Sequence, residues 1–107
     1  MANSLPIGNV VVNIDFEVIP GMEEEFLKLV YYLIDDSLKE KGNISYRVFK
    51  EERSTDRYVV IEHWENQKAL NEHLSMPHTN YYNDNVSKYL VIPPNRVELV
   101  RDINSIE

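Results

Sequence analysis

All three histidines and the only tryptophan of this 107-residue chain fall in one short stretch: His63 and Trp64, then His73 and His78. Glu62 stands just before them. Imidazole is the side chain best matched to moving a proton near neutral pH. A carboxylate beside it can orient the ring or accept a proton itself. An indole adds one flat apolar wall and a single N–H donor. Together these groups point to acid–base work on a small molecule held in an aromatic pocket.

Trp64 is the first candidate, as a pocket wall whose N–H donates to a substrate oxygen; otherwise it is a core indole anchoring the corner. His73 follows Ala69 and Leu70 by one helical turn, so it faces inward and can take a proton; otherwise it bonds a backbone carbonyl at the helix end. His78 follows Pro77 and either lines the pocket or orders the start of the next helical segment. Glu62 shares a strand face with Trp64, where it orients a histidine, accepts a substrate proton or holds a neighbouring loop. His63 alternates with Trp64 and faces the other way. Tyr46, Tyr81 and Tyr82 are candidate substrate-binding phenols, and Tyr89 is a fourth aromatic near them. Aromatics at helical spacing also serve simply as packing. Glu62, His73 and His78 have the chemistry of a two-histidine, one-carboxylate metal triad. However, His73 and His78 are five residues apart across Pro77, so they do not share a helix face. The chain carries no glycine-rich dinucleotide fingerprint. The expectation is therefore a site with no metal and no cofactor.

The elements that must position these residues are legible as periodicity. Val10 to Val18 alternates, with Val10, Val12, Ile14, Phe16 and Val18 on one face and Asn13, Asp15 and Glu17 on the other, a half-buried strand that Pro20-Gly21 ends. Met22, Phe26, Leu29, Val30, Leu33, Ile34 and Ser37 recur at helical spacing and predict an amphipathic helix. Glu23, Glu24 and Glu25 suit its positive end, Lys39 and Lys41 its negative end, and Gly42 its C-terminal cap. Ile44 to Lys50 predicts a second strand with Ile44, Tyr46 and Val48 on one face. Tyr58 to Trp64 predicts a third, apolar on both faces. Gln67 to Leu74 predicts a short helix broken by Met76-Pro77, and Thr79 to Leu90 a second helical segment ended by Pro93-Pro94. Asn95 to Asp102 predicts the last strand. The order is β-α-β-β-α-β. It implies a ferredoxin-like α+β fold, a four-stranded antiparallel sheet with helices on one face. Residues 10–102 form the domain, 1–9 a lead-in and 103–107 a tail. Val11, Phe49, Val59, Ile61, Val97 and Leu99 leave an apolar second sheet face, which a symmetric dimer packed sheet on sheet would bury.

Composition narrows the function classes. At 43% hydrophobic and 27% charged residues, the chain is of globular type, and its length suits one hydrophobic core. A net charge of −7 disfavours nucleic acid, whose phosphates need a basic patch. No apolar run approaches the roughly 20 residues needed to span a bilayer. Met1 to Asn9 lacks the basic and apolar parts of a signal peptide. With no cysteine there is no disulfide and no thiolate chemistry, which fits a cytoplasmic protein.

Two blocks carry a resemblance: Ser37 to Tyr46, the helix exit and second strand, and Glu62-His63-Trp64 followed by Ala69-Leu70, His73 and Pro77-His78. With Pro20-Gly21, the pattern over residues 10–102 resembles the antibiotic biosynthesis monooxygenase domain. That family comprises small dimeric α+β barrels, among them quinol-type monooxygenases, haem-degrading enzymes and enzymes that process signal molecules. Lys41 and Asn43 replace a proline and a cysteine-like residue that family members often carry around Gly42, both at a surface turn. A haem-degrading member is expected to place an asparagine on the core side of the first strand. Here Val12, Ile14 and Phe16 hold that side and Asn13 faces away. The resemblance implies a homodimer joined through sheet faces that oxidises a small aromatic or quinol-like substrate with dioxygen and without a cofactor. Isomerisation or degradation of a small carbonyl signal molecule, and non-catalytic ligand binding by a dimer, are the alternatives.

Overall fold

The structure is a computed structural model that describes residues 8–100. The alternating residues of β1 (Val10–Glu17) become the middle of the sheet, with Val10, Val12, Ile14 and Phe16 buried. β1 pairs antiparallel with β3 (Arg57–Trp64) on one side and with β4 (Asn95–Val100) on the other. β2 (Asn43–Lys50) adds outside β3, giving the order β2-β3-β1-β4. α1 (Glu23–Ser37) connects β1 to β2, while α2 (Gln67–Leu74) and α3 (Pro77–Asn85) connect β3 to β4. This is the ferredoxin-like α+β arrangement expected from the element order. The core lies between one sheet face and the helices, where Phe26, Val30 and Leu33 of α1 and Leu70 of α2 meet Val12, Phe16, Val60 and Trp64.

Four local expectations need correction. First, α1 ends at Ser37 with Leu38 as its cap residue, so Lys39 and Lys41 lie beyond its last turn. Gly42 is therefore not that helix's cap. It occupies the turn into β2 at φ +91°, where a Cβ would stand 2.6 Å from the Cβ of Ala69. Only glycine suits both the left-handed backbone and the close approach. Second, an irregularity between Asn43 and Ser45 shifts the register of β2 against β3. Ile44 is consequently exposed although Tyr46 is buried, because a bulge reverses the alternation at one residue. Third, α3 begins at Pro77 rather than Thr79, since a proline at the first helical position gives up an N–H that has no partner there anyway. Fourth, that segment is not one helix to Leu90. α3 ends at Asn85 and a 3-10 turn continues over Val86–Tyr89. Arg101 and Asp102 of the expected last strand lie outside the described residues, as do residues 1–7 and 103–107.

α2 runs over the expected residues, started by Asn66, whose side chain accepts the Ala69 N–H at 2.8 Å. Among the described residues no helix covers the opposite sheet face. Phe49, Val97 and Leu99 are exposed there and Val11, Val59 and Ile61 half-buried. No helix among the described residues is long and apolar enough to cross a membrane.

Candidate active site

Glu62 occupies the helix-facing side of β3, directly opposite Tyr46 of β2 in the ladder. That pairing lets the Tyr46 hydroxyl donate to Glu62 Oε2 at 3.2 Å. Trp64, two residues on and therefore on the same face, donates its Nε1–H to Oε1 at 2.8 Å. The carboxyl group is buried, and burial raises its pKa above the ordinary carboxylate value. The bonds from Trp64 and Tyr46 and the nearness of His73 and Arg96 oppose that rise without cancelling it.

α2 brings His73 against this carboxyl from above. Its ring is buried and lies tilted over the Trp64 indole, with centroids 4.6 Å apart. Nε2 stands 3.8 Å from Glu62 Oε1, too far for a direct hydrogen bond. Nδ1 stands 2.7 Å from Oε2 of Glu40, a residue of the connection between α1 and β2. The same oxygen lies 2.7 Å from Nε2 of His78 in the first turn of α3. Thr79 Oγ1 approaches His73 Nδ1 at 3.3 Å. One imidazole thus sits between two buried carboxyl groups, and one carboxyl group joins two imidazoles.

A cavity of about 100 Å³ opens beside His73 and Glu62. Its floor is Ile14, Tyr46, Glu62 and Arg96 of the sheet, and its roof includes Leu33, Leu74, Thr79, Tyr82 and Val86. Burial raises the pKa of the Tyr46 and Tyr82 hydroxyls well above the ordinary tyrosine value. Both therefore remain protonated at neutral pH and act as hydrogen-bond donors, not bases. A larger groove of about 340 Å³ runs past Lys28, Tyr32, Tyr81 and Tyr89 on the outer helix surface. It contains neither a histidine nor a buried acid, so size alone does not locate the chemistry.

Of the residues singled out from sequence, His73, Glu62, Tyr46 and Tyr82 meet at the cavity. Trp64 is wholly buried behind them and does not line it. Its N–H is committed to Glu62, so the indole holds the acid and backs the imidazole instead of facing a substrate oxygen. His78 also lies off the cavity, turned to Glu40. Tyr81 is 53% exposed and stacks edge-on with Tyr32 at 5.2 Å, away from the histidines. Tyr89 is partly buried against the core and lines the outer groove. His63 is on the opposite sheet face, as the alternation required, with Nε2 2.8 Å from Asn9 Oδ1. His73 and His78 do lie on different helices, α2 and α3, so they share no helix face, yet they converge. Donor atoms of Glu40, His73 and His78 lie within 4.8 Å of one another, because the extended Met76 swings α3 back toward the end of α2. Glu40 was missed as a functional residue. The only sequence signal for it was its place just before the Gly42 turn.

The geometry can be set beside known proteins. An uncharacterised protein of Synechocystis is 33% identical over 79 residues, 74% of this chain but 52% of that protein. The chain therefore spans about half the length of that relative. A conserved protein of Methanosarcina mazei superposes with a TM-score of 0.85 at 24% identity, covering 90% of this chain and 95% of that one. SnoaB of Streptomyces nogalater, a cofactor-independent oxygenase solved as a point mutant, superposes with a TM-score of 0.79 at 15% identity, covering 94% of this chain and 99% of that one. At these identities the two solved structures establish the fold alone. The family profile of the antibiotic biosynthesis monooxygenases matches residues 9–84, from the start of β1 to the penultimate residue of α3. That span includes Glu40, Glu62, Trp64, His73 and His78, and with it the chain belongs to the antibiotic biosynthesis monooxygenase family.

Proposed function

We propose that this protein is a cofactor-independent monooxygenase that oxidises a small quinol-like or other electron-rich aromatic substrate with dioxygen. The observation that carries the reading is the buried His73–Glu62 pair at a partly open cavity whose lining includes Tyr46, Tyr82 and aliphatic side chains. Membership of the family and the likeness to a cofactor-independent oxygenase support it.

The chemistry asked of the protein is modest. The substrate O–H bond breaks, its proton forms an N–H at His73 Nε2, and the electron pair stays on the substrate oxygen. The resulting anion is electron-rich enough to reduce dioxygen. One oxygen atom enters the ring carbon, the other leaves as water, and the substrate supplies all four electrons. The phenol of Tyr82 lines the cavity and can donate to the developing charge, while the Tyr46 hydroxyl is held on Glu62. At about 100 Å³ the cavity is smaller than ordinary ligand sites, which are roughly 300–1,000 Å³. A full ring enters only as the exposed rim at Pro94 and Arg96 moves outward. The functional unit is a homodimer joined through the exposed faces of the sheets and working in the cytoplasm.

Oxygen uptake tests this directly. A panel of hydroquinones and naphthols should contain a substrate that consumes dioxygen with the purified protein. His73→Ala should reduce that uptake at least about 100-fold, roughly the low end of general-base effects, with an unchanged circular dichroism spectrum. Silence across the panel argues against the reading. The same imidazole–carboxylate pair serves isomerisation or degradation of a carbonyl compound equally well. Turnover that persists under strict anaerobiosis selects that alternative, and a ligand recovered unchanged selects a binding protein.

A further inference from the structure

We propose that Glu40 is a positioning residue that fixes the tautomer of His73, leaving the bare Nε2 lone pair turned to the cavity. The inference rests on the base role given to His73 above. Glu40 is deeply buried, and its Oε2 lies 2.7 Å from both His73 Nδ1 and His78 Nε2. An ionised carboxylate only accepts hydrogen bonds, so contacts this short place a proton on each of those two nitrogens. A neutral imidazole carries one N–H. With that proton on Nδ1, His73 Nε2 has none, which agrees with its 3.8 Å separation from Glu62 Oε1 in a ring that lines the cavity. A ring flipped the other way would turn an N–H toward the substrate and could not act as base.

The same arrangement stabilises what the base becomes. When Nε2 takes the substrate proton, the imidazolium lies between Glu40 on one side and Glu62 on the other. The other groups packed around the ring are the Tyr46 phenol from β2, the Trp64 indole from β3, and Thr79 and His78 from α3. Within this shell Glu40 and Glu62 are the groups whose negative charge favours the imidazolium. His78 is the second donor to Glu40 and holds its oxygen in line with Nδ1.

As they stand the 2.7 Å contacts are hydrogen bonds, although Glu40, His73 and His78 carry the donor atoms a cation would need, all within 4.8 Å of one another. Ligand atoms about 2.0–2.2 Å from a zinc ion stand roughly 3.3 Å apart across a tetrahedral edge, wider than the 2.7 Å observed here.

Two measurements test the proposal. Nitrogen-15 NMR of the imidazoles, which needs no substrate, should show the proton of neutral His73 on Nδ1 and that of neutral His78 on Nε2. A proton on His73 Nε2, or a divalent metal co-purifying in one-to-one ratio and lost in Glu40→Gln, overturns it. The second is Glu40→Gln itself, whose amide N–H can donate to Nδ1 and favour the wrong tautomer. With a substrate in hand, kcat should fall by up to roughly 10⁴, as when the acid of a triad is made an amide, with KM nearly unchanged. The loss should shrink as pH rises and the substrate ionises without help. A purely structural role predicts instead a uniform loss at every pH, and wild-type kcat in a folded Glu40→Gln variant also overturns the inference. Absence of any oxidisable substrate alongside the expected tautomers sinks the monooxygenase reading while Glu40 keeps its assigned role.

Discussion

At the residue scale, Glu62 is an acid taken out of water. Its carboxyl is buried, and burial raises its pKa above the ordinary value of 4.5. The sign of the consequence follows from proton linkage. Below the ordinary carboxylate pKa both folded and unfolded chains hold this proton, and its burial costs least. As pH rises from there through the raised folded value, the unfolded chain releases the proton first, and the stability that Glu62 contributes at low pH is lost. Glu62→Gln has no such proton to lose, and its amide can still accept from Trp64 and donate to Tyr46. Urea unfolding at roughly pH 4 and roughly pH 7, around the ordinary carboxylate value, should show the variant gaining on the wild type as pH rises. A difference that stays flat between the two conditions refutes the assignment of Glu62 as an acid raised by burial.

At the scale of elements, the site depends on how α2 is seated over the sheet. Gly42 is the hinge of that contact. Its carbonyl accepts the Glu65 N–H at 2.8 Å, and its α-carbon faces Ala69. Gly42→Ala should destabilise the fold by about 2–4 kcal/mol, from a left-handed backbone forced on alanine and from overpacking against Ala69. Relief by the second change Ala69→Gly should recover the packing part and leave the backbone part, measured as a partial return of the urea midpoint. Full recovery would show that the backbone conformation carries no cost. Because Ala69 and His73 are one turn apart on α2, the single variant should also disturb the Glu40 contact and lower any activity more than its stability loss explains.

At the scale of the molecule, the sheet has a covered face and a bare one. Phe49, Val97 and Leu99 on the bare face are each 44–57% exposed, and Val11, Val59 and Ile61 extend the patch between them. An apolar surface of this kind is costly to leave in water and is of the type that interfaces use. The proposed homodimer closes it. Light scattering on the purified protein should give the mass of two chains, and Leu99→Lys with Val97→Glu should give one. β4 is also an edge strand whose Arg96 lines the cavity, so the proposed dimer contacts through β4 would bear on the cavity rim. The monomeric variant should accordingly bind substrate more weakly. A wild-type protein that is monomeric at every concentration removes the sheet-face interface from the account.

The linear pattern determined the order and kind of the elements, because burial against a sheet imposes a period of two and burial of a helix stripe a period near 3.6. It thereby determined that Glu62 and Trp64 share a face and that His63 does not. It also placed His73 inward on α2. Only the tertiary structure decided which polar atoms meet. Glu40 is 33 residues from His73 in the chain, and their contact depends on how the α1–β2 connection folds over α2. His78 joins them because Met76 is extended and Pro77 restarts the helix in a new direction, a turn that spacing alone reads as separation. The indole N–H is taken by Glu62, and Tyr81 faces outward, because hydrogen-bond pairing and helix rotation depend on three-dimensional neighbours. Periodicity records which side of an element is buried; it carries no information about distances between side chains from different elements, and the chemistry of this site lies in those distances.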